Sequence, residues 1–364
     1  MQTTDHATTT SGTTGRRAVL QSAAAMLLGG AFAIAGAGGA SATQTGPLAA
    51  THSRRAGSPV RFGVGGHHPW IDGFSYPAAD VVQQLQLARV FGCTAYRLDW
   101  FVPLTMSARW DWRWYDTVVD TAEQLGLELL CVLTPEGGYR RSYGSLVDNT
   151  VPVVQRYAGR IPWFQLANEL DNVAIKSGVD GSRIDHFDTE AYPMVRNVQS
   201  ALRDGVRLGD PTARTIANVA WKHTGFLERA HRDGLLWDVN SLNWYAHTEQ
   251  NHLTGDDQLL AVLDRIGALP QGEVLITELN LEGGAATDRA ALGAQARRLE
   301  ETLVALRDRG PRTLTHVFLY ELLDQPTAGP GQDRYGLVPV DRATGLWGAQ
   351  RPVAATFAAH AVGD

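Results

Sequence analysis

A short apolar run followed by a segment of helical period recurs eight times between Val60 and the end of the chain, and no other feature restricts the fold as much. The runs are Val60–Gly65, Thr94–Asp99, Leu127–Leu133, Trp163–Asn168, Thr215–Val219, Val239–Tyr245, Glu273–Glu278 and Thr313–Tyr320. Several are almost continuously apolar, which suits strands covered on both faces. Between them, Asp80 can cap a helix with Val81, Leu85 and Ala88 on one side, stopped at Gly92. Asp188 or Thr189 opens another, with Val195, Val198 and Leu202 inward; Thr287 opens a long one that ends at Gly310-Pro311. The helix near Phe226–Arg232 is short, and Ala349–Ala359 reads as a closing helix. This pattern predicts an α/β fold, a single-domain (β/α)₈ TIM barrel over residues 59–364. An open dinucleotide-binding sheet fits poorly. Gly63-Val64-Gly65-Gly66 is not followed by G-x-G-x-x-G, and Pro69 interrupts the helix start.

The formal net charge is −6, and the body carries no basic run, so nothing marks it for nucleic acid or an anionic membrane. The first 42 residues read differently. Arg16 and Arg17 precede an Ala/Leu/Gly-rich stretch, and Ala40-Ser41-Ala42 offers a cleavage site; the segment resembles a twin-arginine export signal. Its glycines make it a poor membrane span. Residues 43–58 follow as a linker, and the expected destination is the cell envelope or exterior. Two cysteines allow at most one disulfide; Cys93 and Cys131 fall at different heights on neighbouring strands, which favours two buried thiols.

Catalytic side chains of such a barrel project from the C-terminal ends of its strands. Those ends carry Arg97 and Trp100, Asn168-Glu169, Asn243-Trp244-Tyr245, Thr277-Glu278 and Tyr320-Glu321. Glu169 and Glu278 terminate apolar strands, where a carboxylate is costly without a partner or a role. Two carboxyl groups facing one another across the mouth are what glycoside hydrolysis requires, one to protonate the leaving oxygen and one to attack the anomeric carbon. Each glutamate taken singly could equally top its strand in an ion pair.

Asn-Glu ending the fourth strand, Tyr245 on the sixth and Glu278 ending the seventh resemble clan A of the retaining glycoside hydrolases. Trp114-Tyr115-Asp116, Tyr320-Glu321-Leu322-Leu323-Asp324 and Tyr335-Gly336-Leu337-Val338 belong to the same likeness, which is greatest to family 39 and its polysaccharide-cleaving relatives. Ile276-Thr277-Glu278-Leu279 is also similar to family 10 xylanases. The resemblance implies Glu169 as acid/base and Glu278 as ionised nucleophile. It implies that Tyr245 orients Glu278, Arg97 lies beneath it, and Asn168 binds the sugar 2-hydroxyl. It implies no cofactor and no metal, and a carbohydrate as partner. Relatives often carry His where this chain has Asn243, so His223 or His247 is a candidate substitute.

Trp100, Trp221, Trp244 and Tyr320 are candidates for stacking on a sugar ring, whereas Trp110, Trp112 and Trp114 read as packing. His67 and His68, with Glu136, are candidates for the non-reducing-end subsite, and the loops Asp171–Phe187 and Gln325–Arg334 for its walls. Two alternatives stay open. A metal-dependent hydrolase could draw on His67, His68, His223, His247 and Asp324, although adjacent histidines point oppositely on a strand. A catalytically silent carbohydrate-binding barrel is the other.

Overall fold

The computed structural model describes residues 60–71, 74–75, 80–105, 111–246, 253, 258–281, 288–328 and 333–362. Eight parallel strands close into a barrel: β1 (Arg61–Gly65), β2 (Ala95–Val102), β3 (Glu128–Pro135), β4 (Trp163–Gln165), β5 (Arg214–Ala220), β6 (Val239–Ala246), β7 (Val274–Leu281) and β8 (Leu314–Leu319). Each pairs with the next in sequence, and β1 with β8 completes the ring. The surrounding helices are α1 (Asp80–Val90), α2 (Arg113–Leu125), α3 (Tyr143–Gln155), α4 (Ala191–Gly209), α5 (Thr224–Arg232), α6 (Leu259–Gly267), α7 (Arg289–Arg309) and α8 (Pro352–Val362). The expected TIM barrel is the observed fold. The export segment (1–42) and the linker (43–58) lie outside the described residues. Among the described residues no helix is long and apolar enough to cross a membrane.

Alternation along the strands divides the core in two. One face packs against the helices: Phe62 and Val64, Leu98 and Trp100, Leu129 and Cys131, Leu242 and Trp244 all belong to that outer apolar layer. The other face fills the barrel with Ala95, Leu130, Val132, Trp163, Ile216, Val239, Leu275 and Phe318. Gly63 completes this inner layer on β1, because a Cβ there would lie 2.5 Å from the Phe318 ring.

Moving two residues along each strand from this plug, the inward side chains turn polar. Ala95 is succeeded by Arg97, Trp163 by Gln165, Ile216 by Asn218, Val239 by Ser241 and Asn243, and Leu275 by Thr277. The barrel is thus apolar at its base and a hydrogen-bonding surface toward its C-terminal mouth, and that gradient positions the site.

Local chemistry explains the helix ends. Asp288 caps α7 by accepting from the amides of Ala290 (2.9 Å) and Ala291 (3.1 Å), one residue later than the Thr287 expected from sequence. Asp188 accepts from Glu190 (2.7 Å) and Ala191 (2.8 Å) ahead of α4. The closing helix begins at Pro352, since proline is preorganised for the first helical turn. Cys93 and Cys131 are buried free thiols. Beyond β8, Arg351 grips Asp324 with two contacts (2.6 and 2.7 Å), and Gly336 N–H also donates to that carboxylate (2.9 Å). This buried clasp fixes the C-terminal segment and gives Asp324 a structural partner in place of the metal considered above.

Candidate active site

Strict alternation from Leu275 would put Glu278 on the helix-facing side of β7. The register prevents it. Leu242 of β6 pairs with Ile276 but Asn243 pairs with Glu278, and on the other side Val317 pairs with Ile276 but Leu319 with Leu279. One extra residue on β7 makes a bulge that turns Thr277 and Glu278 both toward the barrel axis, a recurrent way of re-aiming a side chain at a functional site. There Glu278, 5% exposed, meets Arg97 Nη2 at 2.8 Å and receives the hydroxyl of Tyr245. Arg97 is held in turn by Gln165 Oε1 (3.2 Å) and Asn168 Oδ1 (2.9 Å). Burying this charge pair is tolerated because Arg97 Nε and Nη2 also find side-chain acceptors.

Glu169 is positioned by a distorted strand end. After Gln165 the backbone leaves β4, and Ala167 (φ 63°) and Glu169 (φ 48°) adopt the left-handed region, as does Trp221 (φ 48°) at the end of β5. Each such residue costs about 1 kcal/mol or more, and all three found among the described residues lie at the barrel mouth. The Glu169 N–H donates to Asn218 Oδ1 (2.8 Å), while its carboxyl oxygens face Asn243 Nδ2 (2.8 Å) and Asn172 Nδ2 (2.9 Å). Burial, then the charges of Glu278 and Asp171, push the Glu169 carboxyl up to about 8, against the opposing pull of Asn243 and Arg97. An acid of this strength holds its proton at neutral pH.

The two carboxyl groups are connected atom to atom. From Glu169 Oε1 the path runs through Asn243 Nδ2, Asn168 Oδ1 and Arg97 Nη2 to Glu278 Oε1, in steps of 2.8, 3.2, 2.9 and 2.8 Å, so the oxygens lie within about 12 Å of one another even along a straight line. Asn168 Oδ1 also accepts from Gln165 Nε2 (3.0 Å), so three donors on one side of this amide turn its NH₂ away from them.

Around this centre Tyr245, Tyr320 and Tyr335 cluster with ring centroids 5.3–6.3 Å apart, and the Tyr320 hydroxyl donates to Gln325 Oε1 (3.2 Å). Tyr139, on the loop after β3, is pushed up to about 12 by burial and by the charges of Asp99 and Glu169. His67 is ion-paired with the buried Glu321; burial opposes its protonation, but the Glu321 carboxylate prevails and raises its pKa. His223 pairs through Nδ1 with Asp171, whose charge also acts on Glu169, and among the described residues no hydrogen bond joins it to Glu278. His247 lies outside the described residues.

Three sequence candidates fall elsewhere. Trp100 (0% exposed) packs against Tyr115 and Tyr157 with centroids at 4.7 and 5.4 Å, and Trp244 (1% exposed) sits in the same outer layer. Each follows an inward residue, Asp99 or Asn243, so alternation turns it toward the helices. His68 is enclosed by Phe101, Trp114 and Tyr115, and burial drives its pKa down to about 3, which makes it a packing element. Glu136 holds the loop after β2 by accepting from Leu104 N–H (3.2 Å). Trp221 differs. The residue is 44% exposed, its backbone N–H donates to the Asn243 carbonyl (2.8 Å), and Lys222 Nζ lies 4.6 Å from the ring centroid.

Gln165, Asn172, Asn218 and Tyr139 have no site role in the sequence reading, and Thr277 and Tyr335 enter it only as members of motifs. For Gln165, Asn218 and Thr277 the signal was present: a polar residue at inward parity near the top of an apolar strand.

No family model and no curated protein matches the sequence. Solved structures do match. Xylanase 10B from Thermotoga maritima is similar over 83% of this chain and 95% of its own, with a TM-score of 0.59 and 14% identity. A family 1 β-glucosidase from the same organism is similar over 86% of this chain and 100% of its own, with a TM-score of 0.62 and 12% identity. The AHE enzyme of Alicyclobacillus herbarius is similar over 84% and 98%, with a TM-score of 0.60 and 13% identity. At such identities the likeness is one of fold: this chain shares the TIM barrel of xylanases and β-glucosidases.

Proposed function

We propose that the chain is a retaining glycoside hydrolase that cleaves O-glycosidic bonds of an oligo- or polysaccharide. The observation that carries this reading is the pairing across one mouth of Glu169, a carboxyl group protonated at neutral pH, with Glu278, a carboxylate aimed by Arg97 and Tyr245. Glu278 attacks the anomeric carbon while the bond to the leaving oxygen breaks and the Glu169 proton passes to that oxygen. Water then attacks the glycosyl-enzyme, Glu169 takes its proton, and Glu278 departs as carboxylate. Asn168 offers its NH₂ to the sugar 2-hydroxyl, and Trp221 offers an exposed face for a neighbouring sugar. Within clan A, the motifs favour family 39 and its polysaccharide-cleaving relatives. Export through residues 1–42 belongs to the same proposal, and the N-terminal sequence of the mature protein tests it.

Glu278→Ala tests the central step. Hydrolysis should vanish and return with azide as a glycosyl azide, because the small anion fills the space of the lost carboxylate. Activity that survives Glu278→Ala and Glu169→Gln but is lost to a chelator would instead support metal-dependent hydrolysis. No turnover of any glycan by the native chain would support the silent binding barrel.

A further inference from the structure

Glu169 closes a ring of hydrogen bonds on itself. Its backbone N–H, which can only donate, meets Asn218 Oδ1 (2.8 Å). The nitrogen of that amide therefore faces Asn243 and meets Oδ1 (2.9 Å), which also accepts from the Thr277 hydroxyl (2.8 Å). The nitrogen of Asn243 then faces Glu169 and donates to one carboxyl oxygen (2.8 Å). Every donor and acceptor in the ring follows from one backbone amide, so Asn243 cannot reverse without breaking two contacts. The other carboxyl oxygen meets Asn172 Nδ2 (2.9 Å), and among the described residues no second side-chain bond fixes that amide. The two oxygens of one carboxyl group are thus inequivalent: one faces a permanent donor, the other a reversible amide.

We infer that Asn243 is a positioning residue for the acid/base, reserving one oxygen of Glu169 as an acceptor and leaving the oxygen beside Asn172 to carry and deliver the proton. The arrangement suits both halves of the reaction. Protonated Glu169 keeps its carbonyl oxygen toward Asn243, and ionised Glu169 keeps the same contact, so the side chain need not reorient between proton donation and proton uptake. The same donor favours the ionised form, which moderates the proton affinity that burial imposes. The titratable and charged groups around Glu169 are Glu278 on β7, Arg97 on β2, Tyr245 on β6, Tyr139 after β3, and Asp171 with His223 behind it.

The catalytic part of this inference rests on the hydrolase reading; the ionisation part does not. Asn243→Asp preserves shape and the acceptor for Asn218 and Thr277 but replaces the donor with an oxygen, and Asn243→Ala removes both. The ionisation of Glu169 is followed by ¹³C NMR of carboxyl-labelled glutamate in the full chain, its signal identified by loss in Glu169→Gln. The expected result is a midpoint raised by about one pH unit or more in Asn243→Ala and Asn243→Asp. On aryl glycosides, kcat/KM should fall at least about tenfold more for poor leaving groups, which need the acid, than for dinitrophenyl leaving groups, which do not. An unmoved midpoint in folded Asn243→Asp, or an equal loss across leaving groups, overturns the inference. If the native chain hydrolyses no glycoside, the hydrolase reading falls while the titration still decides the role of Asn243.

Discussion

A carboxyl group whose proton is held by burial weakens the fold wherever solution pH would otherwise ionise it. Glu169 sits at about 8 in the folded chain against 4.5 for an ordinary glutamate. Below 4.5 it is protonated in both states and the effect vanishes. Between 4.5 and 8 the folded state binds the extra proton, so stability falls as pH rises, and above 8 the loss levels off. At about 1.4 kcal/mol per pKa unit the full loss is at most about 5 kcal/mol, and the partial solvent access of Glu169 reduces it to about 2–4 kcal/mol. Glu169→Gln removes the ionisable group while keeping its shape. The variant should therefore match the native chain at pH 4.5 and melt higher at pH 8.5, by about 2 °C per kcal/mol for a domain of this size. Thermal denaturation of both proteins across that range is the assay. A difference in melting temperature that stays constant with pH, or shrinks as pH rises, refutes the reasoning.

Other consequences follow from named contacts. Activity should fall as pH rises through about 8, when Glu169 loses the proton it must donate; a pH profile of kcat/KM on an unactivated glycoside checks this. Tyr245→Phe removes a hydrogen bond to a charged group and should lower kcat about 10–100-fold with the melting temperature little changed. Trp221→Ala should raise KM for oligosaccharides without loss of stability, whereas Trp100→Ala should cost about 3–5 kcal/mol in chemical denaturation. Arg351→Met strands the buried Asp324 and should destabilise by about 3–5 kcal/mol while leaving Arg97 and both glutamates in place.

The barrel was legible because a doubly covered strand and its helix each leave a periodic trace, and eight of them in alternation leave few other folds. Strand parity carried further than the eye does at first. Arg97 points inward, so Trp100, three residues on, must point outward, and Trp244 beside Asn243 must do the same. Those corrections were available from the sequence. The β7 bulge was not, because one extra residue in a ladder is defined by both neighbours and has no local signature; without it Glu278 would face α7. The left-handed turn at Ala167 and Glu169 is equally silent, since neither is glycine. The partners of His67, His223 and Asp324 depend on segments that meet only after folding.

A 2-deoxy-2-fluoro glycoside with an activated leaving group slows the second step more than the first, and so can trap the glycosyl-enzyme for mass spectrometry of the digested protein. The expected result is one sugar attached to the peptide that contains Glu278, and none when Glu278 is alanine. A sugar on any other residue, or turnover that releases the inverted anomer with no adduct, contradicts double displacement at Glu278.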